Sequence, residues 1–568
     1  MPGRGAGNRC SWERGGWAGA VAAHYGTMQS ALILFFFTLP WLNPFNGGPS
    51  TWVVPWLVSF SCVAIASGMD CRRFPVRSVT LALASLAAWG LLRSGWTPEA
   101  LSLAGGCLLI WLGAAAASDA AGRVGWARTA ALTWFAAAAI STLLAFFQYF
   151  GLGGDLAPWV NSTAAGEAFA NLRQRNQFAS LTAIGMAALL FWLLPGFKRW
   201  HSLAAITWLA LGNALTTSRT GLLEMLLLGI LACAWPGPRR ARATVWAVGL
   251  LAYFIATLIL PWVLEASTGV NASHLWRRVS GADGCGSRIV LWSNIVDLIA
   301  QKPWIGWGWG ETDFAHYATL YPGARFCDIL DNAHNLPLHL AVELGIPAAI
   351  MVVGGTVWVI ARAKPWAEVD PLRQMAWAVL AVIAAHSLLE YPLWYGPFQI
   401  AFGLCLGLLW PPVGSPVAPA GTGRRRSRAG ALALAAGAVA TCGYAAWDYH
   451  RVSQIYLAPE DRAADYRDDP LPSIRRSWLF RAQAAFAELT ITPLTRANAQ
   501  WTYDTAAALL HYSPEPRVIE KLIESAVLLG RDDEALLHLA RFRAAFPEAY
   551  ATWSQSLAQP PAKAQPAT

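Results

Sequence analysis

ATVWAVGLLAYFIATLILPWVL, residues 243–264, is the stretch that decides the fold. It runs for 22 positions without a charged side chain, and the basic segment PGPRRAR at 236–242 precedes it. A bilayer core takes about 20 apolar residues per helix, so this run is long enough to cross one. Working outward, similar runs recur near 29–45, 51–68, 77–93, 101–118, 126–150, 177–195, 201–216, 220–236, 336–361, 374–391, 396–412 and 430–446. With 243–264 they make thirteen candidate spans. Hardly any ionisable residue interrupts them, as helices facing lipid require.

The composition of the 568 residues agrees: 55% are hydrophobic and 13% charged, against about 25% charged in an average soluble domain. The charge is unevenly placed. Positions from 448 onward carry 15 acidic and 13 basic residues, whereas the first 447 carry 18 and 29. The expected fold is therefore all-α: a polytopic membrane protein of 12–13 transmembrane helices, a large extramembrane loop and a soluble helical carboxy-terminal domain. Segment by segment this gives a flexible cytoplasmic leader at 1–28, nine spans in 29–265, the loop at 266–335, spans ten to thirteen in 336–447, a helical domain at 448–558 and a disordered tail at 559–568. Met28, directly before the first span, is a candidate start. In the helical domain, 473–489, 498–511, 516–529 and 532–545 have amphipathic helical spacing, and their pairing resembles helical-repeat packing. The net charge of +9 does not indicate a nucleic-acid partner, because the basic residues sit in short loops rather than on one folded face.

Those loops orient the chain. With the amino terminus inside, the inner segments hold Arg72, Arg73 and Arg77; Arg123 and Arg128; Lys198 and Arg199; Arg239, Arg240 and Arg242; Arg362, Lys364 and Arg373; and Arg424, Arg425, Arg426 and Arg428. Every inner loop is basic, as the positive-inside rule demands. Three segments then face out: 151–176, 266–335 and the chain after 447. Cys285 and Cys327 are the two cysteines of the long outer loop, and a disulfide between them is expected if that compartment is oxidising. Nine scattered cysteines without a C-x-x-C pair suggest no zinc or redox site.

The outer segments also carry the unusual polar residues. NLRQRNQFAS at 171–180 places Arg175, Asn176 and Gln177 at the mouth of a span, where unpaired amides are costly. In TTSRTG at 216–221, Arg219 is held at the hydrocarbon boundary. Its guanidinium either snorkels to the interface or binds phosphate oxygens with its fork. Arg288, in GSRIVLW at 286–292, is a second phosphate candidate. KPWIGWGWG at 302–310 reads as a tight turn whose tryptophans suit sugar stacking or surface anchoring. DILDNAHNLPLH at 328–339 sets His334 between Asn332 and Asn335; a histidine can accept a proton near neutral pH. Asp328, Asp331 and His334 form a conceivable metal set of undiagnostic spacing, and His339 suits a structural role. In HSLLEYPLWY at 386–395, Glu390 and Tyr391 imply polar partners, while His386 suits helix packing.

Together these motifs resemble the bacterial protein O-oligosaccharyltransferases, or pilin-type glycosylases, of the O-antigen ligase and polymerase superfamily. The likeness rests on RNQFA (175–179), SRTG (218–221), the Ser-Arg of 287–288, DNAHN with the following ELG (331–345) and HSLLEYPLWY (386–395). It implies a glycosyltransferase that moves an oligosaccharide en bloc from undecaprenyl pyrophosphate to Ser or Thr hydroxyls of a periplasmic protein such as pilin. It also implies a bacterial inner-membrane location, with the site and the carboxy-terminal domain periplasmic. His334, Gln177 and Tyr391 become catalytic candidates; Arg219 and Arg288 become donor pyrophosphate ligands, with Arg175 in reserve. Asn176, Asn332, Asn335 and Glu390 support them. No cofactor or metal enters this scheme: fixed guanidinium groups stabilise the departing pyrophosphate and His334 takes the acceptor proton. An O-antigen ligase or polymerase acting on lipopolysaccharide is the alternative within the superfamily. A lipid-linked glycan flippase, which would distribute charge through the span midplane, and a membrane scaffold working through its tail are alternatives outside it.

Overall fold

The architecture was analysed in a computed structural model that describes residues 31–45, 47–50, 52–70, 77–118, 123–270, 285–410 and 428–558. The leader at 1–28 with Met28, the tail at 559–568 and the basic residues Arg72, Arg73, Arg424, Arg425 and Arg426 lie outside that set. Among the described residues the chain forms helices and no strands. It is an all-α, polytopic membrane protein.

The helices of the bundle are α1 (Ala31–Leu42), α2 (Val53–Asp70), α3 (Arg77–Ser94), α4 (Pro98–Ala117), α5 (Arg123–Tyr149), α6 (Arg175–Ala188), α7 (Arg199–Leu215), α8 (Arg219–Ala234) and α9 (Arg239–Thr268). The long loop folds into α10 (Arg288–Gln301) and α11 (Thr312–Ala318), and after it come α12 (Leu336–Leu344), α13 (Ile346–Ala363), α14 (Pro371–Ser387), α15 (Gly396–Leu409) and α16 (Arg428–Ser453). Five of the described helical segments are long and apolar enough to cross a membrane: 98–117, 123–149, 175–196, 239–268 and 346–367. Their burial differs sharply. The α6 segment, extended by a π-turn at Leu189–Leu193, is the most enclosed, while the α13 segment is almost wholly uncovered. In a bilayer those uncovered apolar faces meet lipid tails. Gly403 and Gly407 bring α15 against α4 so closely that a Cβ at either would fall within 2.4 Å of the Ile110 or Ala114 carbonyl oxygen, the close approach that small residues four apart permit between membrane helices.

One expected span is corrected. The apolar run 336–361 is two helices, α12 and α13, that break at Gly345. Gly345 has φ +92°, and a Cβ there would lie 2.3 Å from the Trp304 carbonyl oxygen; only glycine accepts both conditions. Pro347 then starts α13 in its first turn. The glycine–tryptophan segment 302–310 docks on this break: the N–H groups of Trp307 and Gly308 donate to Val342 and Glu343, and Ile346 N–H donates to Pro303. Trp309 is buried, stacked on Trp394 with centroids 5.5 Å apart, while Trp304 remains 75% exposed. That segment is thus a wedge between helices, with Trp304 facing outward.

The carboxy-terminal domain continues through α17 (Leu471–Ile474), α18 (Arg481–Ile491), α19 (Ala499–Leu509), α20 (Pro516–Leu528), α21 (Asp532–Ala545) and α22 (Pro547–Ala558). The first expected helix, 473–489, is replaced by α17, a turn and α18. Here α20 buries Val518, Ile519, Leu522, Ile523 and Ala526, the spacing of one helical face. The same core takes in Tyr317 and Phe314 of α11. Tyr317 Oη lies 2.9 Å from His538 Nδ1, and His511 Nδ1 lies 2.6 Å from Glu311 Oε2. The domain therefore grips the long loop through both apolar and polar contacts.

Candidate active site

Glu390 is the hub of the polar cluster. It lies just past the end of α14 and is 7% exposed. Its Oε2 accepts from His334 Nδ1 at 2.6 Å; its Oε1 accepts from Asn176 Nδ2 at 3.2 Å and from Arg288 Nη2. Burial alone would raise this carboxyl, but the hydrogen bond and charge of His334, with Arg288 behind them, outweigh burial and hold it below its ordinary range. A carboxylate only accepts, so Nδ1 of His334 carries a proton, and in the neutral ring Nε2 is then the basic nitrogen.

The local chain aims that ring. His334 adopts φ +49°, a left-handed conformation uncommon for a side chain this large. Asn332 Oδ1 accepts its N–H at 2.9 Å, and Trp292 Nε1 donates to the neighbouring Ala333 carbonyl at 3.1 Å. Asn335 caps α12 by accepting from Leu338 N–H and ties the loop to α14 through the Leu388 carbonyl. One step deeper, His339 lies 3.1 Å from Glu343 Oε2, whose other oxygen accepts from Thr312 of α11. His339 is thus buried and held within its own helix.

Arg288 opens α10, capped by Ser287. Arg219 opens α8, capped by Ser218. The Ser218 hydroxyl donates to Asn176 Oδ1 at 2.7 Å, so a chain of hydrogen bonds runs Ser218–Asn176–Glu390–His334. Arg219, next in sequence to Ser218, is exposed and makes no side-chain hydrogen bond or ion pair with the described residues. Arg175 pairs with Glu167 at 3.1 Å rather than with Glu390. Asp328 and Asp331 do not group with His334 into a metal-binding set among the described residues.

Tyr391 sets its ring edge-on to His334, centroids 5.0 Å apart, and stacks with Tyr395 at 6.0 Å. Gln177 hydrogen-bonds Tyr395, and burial pushes both phenols up, so they remain donors. Gln177 is 1% exposed, yet its Oε1 has no partner among the described residues. Cys285 and Cys327 form a disulfide with Cα atoms 5.3 Å apart, tying the start of α10 to the chain that follows α11. Sequence reasoning passed over Ser218, which it quoted only as part of a motif, and Tyr395.

Three family matches fall on three walls of this site. Residues 168–194 match the family described as protein glycosylation ligase, 203–353 the O-antigen ligase family, and 374–560 the C-terminal part of a virulence factor membrane-bound polymerase family. They contribute Asn176 and Gln177, then Arg219, Arg288 and His334, then Glu390 and Tyr391. The chain is thus similar to the O-antigen ligase superfamily, and over 168–194 to its protein-glycosylating branch. Among curated relatives, the general O-oligosaccharyltransferase of Acinetobacter baylyi is 24% identical over 404 residues, covering 66% of this chain and 69% of that protein. The ComP-specific O-oligosaccharyltransferase of the same organism is 24% identical over 260 residues, covering 44% and 45%.

Proposed function

We propose that this membrane protein transfers an oligosaccharide en bloc from undecaprenyl pyrophosphate to Ser or Thr hydroxyls of periplasmic proteins such as pilin. The observation that carries the proposal is the shared carboxylate: Glu390 holds a base, His334, beside a phosphate-binding fork, Arg288. The acceptor hydroxyl oxygen attacks the anomeric carbon as its proton passes to His334 Nε2. The bond from that carbon to the pyrophosphate oxygen breaks, and the leaving group departs with the electron pair. Glu390 stabilises the imidazolium as it forms, in the manner of an acid that orients a catalytic histidine. Arg288, already oriented by Glu390, and the exposed Arg219 meet the charge on the pyrophosphate near a low-dielectric boundary where such groups act most strongly. Gln177 Oε1 accepts from a sugar hydroxyl, and Tyr391 orders the His334 ring. A single displacement inverts the anomeric carbon, and no metal takes part. The basic inner loops orient the site and the tail toward the periplasm of a bacterial inner membrane.

The test is reconstitution in vesicles with one defined undecaprenyl-pyrophosphate-linked sugar and candidate acceptor proteins, read by intact mass. Glycan on a Ser or Thr of the protein, lost in His334→Ala, is the expected result. Product found only on lipid A core, or as longer glycan on the carrier, would overturn it in favour of a ligase or polymerase.

A further inference from the structure

One helical turn into the bundle from Glu390, three polar side chains meet that the mechanism above does not use. The Ser180 hydroxyl donates to Glu224 Oε1 at 2.6 Å and lies 2.7 Å from His386 Nδ1. All three residues are 0% exposed. With the hydroxyl proton directed at Glu224, His386 Nδ1 must donate into the Ser180 oxygen. Ionisable side chains at such depth are expensive and are kept where they serve a purpose.

The two layers are built by the same helices. Ser180 follows Asn176 by four residues on α6, so that pair lies on one face, and His386 precedes Glu390 by four across the end of α14. Glu224 stands on α8, two turns in from its Ser218 cap. The close approach of α8 to α6 depends on Gly221, where a Cβ would come within 2.7 Å of both Ala179 and Asn213. Glu390 itself lies beyond the last residue of α14, and its backbone hangs on one group: the N–H groups of Leu389 and Glu390 both donate to the His386 carbonyl, at 2.9 and 2.8 Å.

We propose that Ser180, Glu224 and His386 are positioning residues of the transferase, a buried clamp that fixes the end of α14 so that the His386 carbonyl holds Glu390 in reach of His334 and Arg288. This rests on the reaction assigned above, but its geometry can be tested apart from it. The purified full-length protein and its Ser180→Ala, Glu224→Gln and His386→Asn variants are compared for kcat, donor KM and hydrogen–deuterium exchange of the 386–395 segment. Ser180→Ala cuts the link between Glu224 and His386; it lowers kcat roughly tenfold to a hundredfold, the cost of a small misplacement, leaves donor KM within about twofold, and speeds exchange at 388–391. Glu224→Gln still accepts from Ser180, and His386→Asn still offers a donor near the Nδ1 position, so both retain most of the activity and of the protection. If Ser180→Ala does not accumulate, Glu224→Leu severs the same link and is read the same way. Wild-type kcat and unchanged exchange in the severed variant would overturn the clamp, as would a Glu224→Gln variant as impaired as Ser180→Ala. If the wild-type protein glycosylates no acceptor, the assigned reaction fails, and the exchange measurement still decides the clamp.

Discussion

His334 and Glu390 are 56 residues apart in the chain, and their side chains meet at 2.6 Å. One comes from the long loop and the other from the end of a membrane helix, so their contact records how the loop sits on the bundle. His334→Ala is expected to abolish transfer, a fall of about 10² to 10⁴ for a lost general base, with the protein still in the membrane. Glu390→Gln keeps the shape, removes the charge that opposes His334 and Arg288, and should cost about a hundredfold in kcat. Wild-type glycosylation in a cell carrying either variant would remove the base from the mechanism.

Arg219 has no hydrogen-bond or ion-pair partner for its side chain among the described residues, whereas Arg288 is already held by Glu390. Arg219→Lys retains the charge and loses the fork, so donor KM should rise about tenfold, the scale of one lost charged hydrogen bond. Kinetics against a titrated lipid-linked donor decide this, and an unchanged KM speaks against bidentate phosphate contact.

The disulfide between Cys285 and Cys327 spans 42 residues of sequence. Loop-closure entropy puts its contribution at about 4 kcal/mol. Cys285→Ser should therefore lower the melting temperature, and a single nick within 286–326 should change gel mobility only after reduction. Identical mobility with and without reductant would show that no bridge exists.

Gly345→Ala places a methyl group where the Trp304 carbonyl already stands and forces a side chain into a backbone region it rarely adopts. A loss of about 2 kcal/mol or more is expected, read as a lower melting temperature and faster proteolysis of the 302–310 segment. Unaltered stability would mean that the wedge on the helix break can move aside freely.

Acid should loosen the loop through His316. This ring is 3% exposed; Tyr321 Oη lies 2.8 Å from its Nδ1, and its Nε2 donates to the Phe326 carbonyl at 3.1 Å. Burial first, then the Arg325 charge, pushes it down to about 3, against an ordinary value near 6.5. The folded state stays unprotonated while the unfolded chain takes up a proton. The stability it contributes is whole above about pH 6.5 and is lost toward pH 3 at about 1.4 kcal/mol per pH unit. Thermal melts between pH 7 and 5 should show this slope, and His316→Gln should flatten it; a wild-type melting temperature that does not fall over that range would refute it.

The all-α membrane character was legible because apolar length is a one-dimensional property: the run 243–264 sits within α9, Arg239–Thr268. The break at Gly345 was not, because an unbroken apolar run looks the same whether it forms one helix or two. The Gly-x-Pro at 345–347 was the signal available. The candidate residues could be picked one at a time from the cost of polar groups at a membrane boundary. Which of them share a carboxylate could not, since Glu390, His334, Arg288 and Asn176 come from four separate elements. Glu224 was also within reach, as the lone acid of its apolar run, yet its partners Ser180 and His386 lie on other helices.

Tyr317 and Phe314 belong by sequence to the long loop and by packing to the carboxy-terminal domain. A graft that exchanged the tail between relatives at residue 448 would leave an orphaned aromatic pair on one side and a hole on the other. The unit that evolution or an engineer can trade is the tail together with 311–321, so a change in acceptor preference made by such exchange would arrive with a reshaped support for His334.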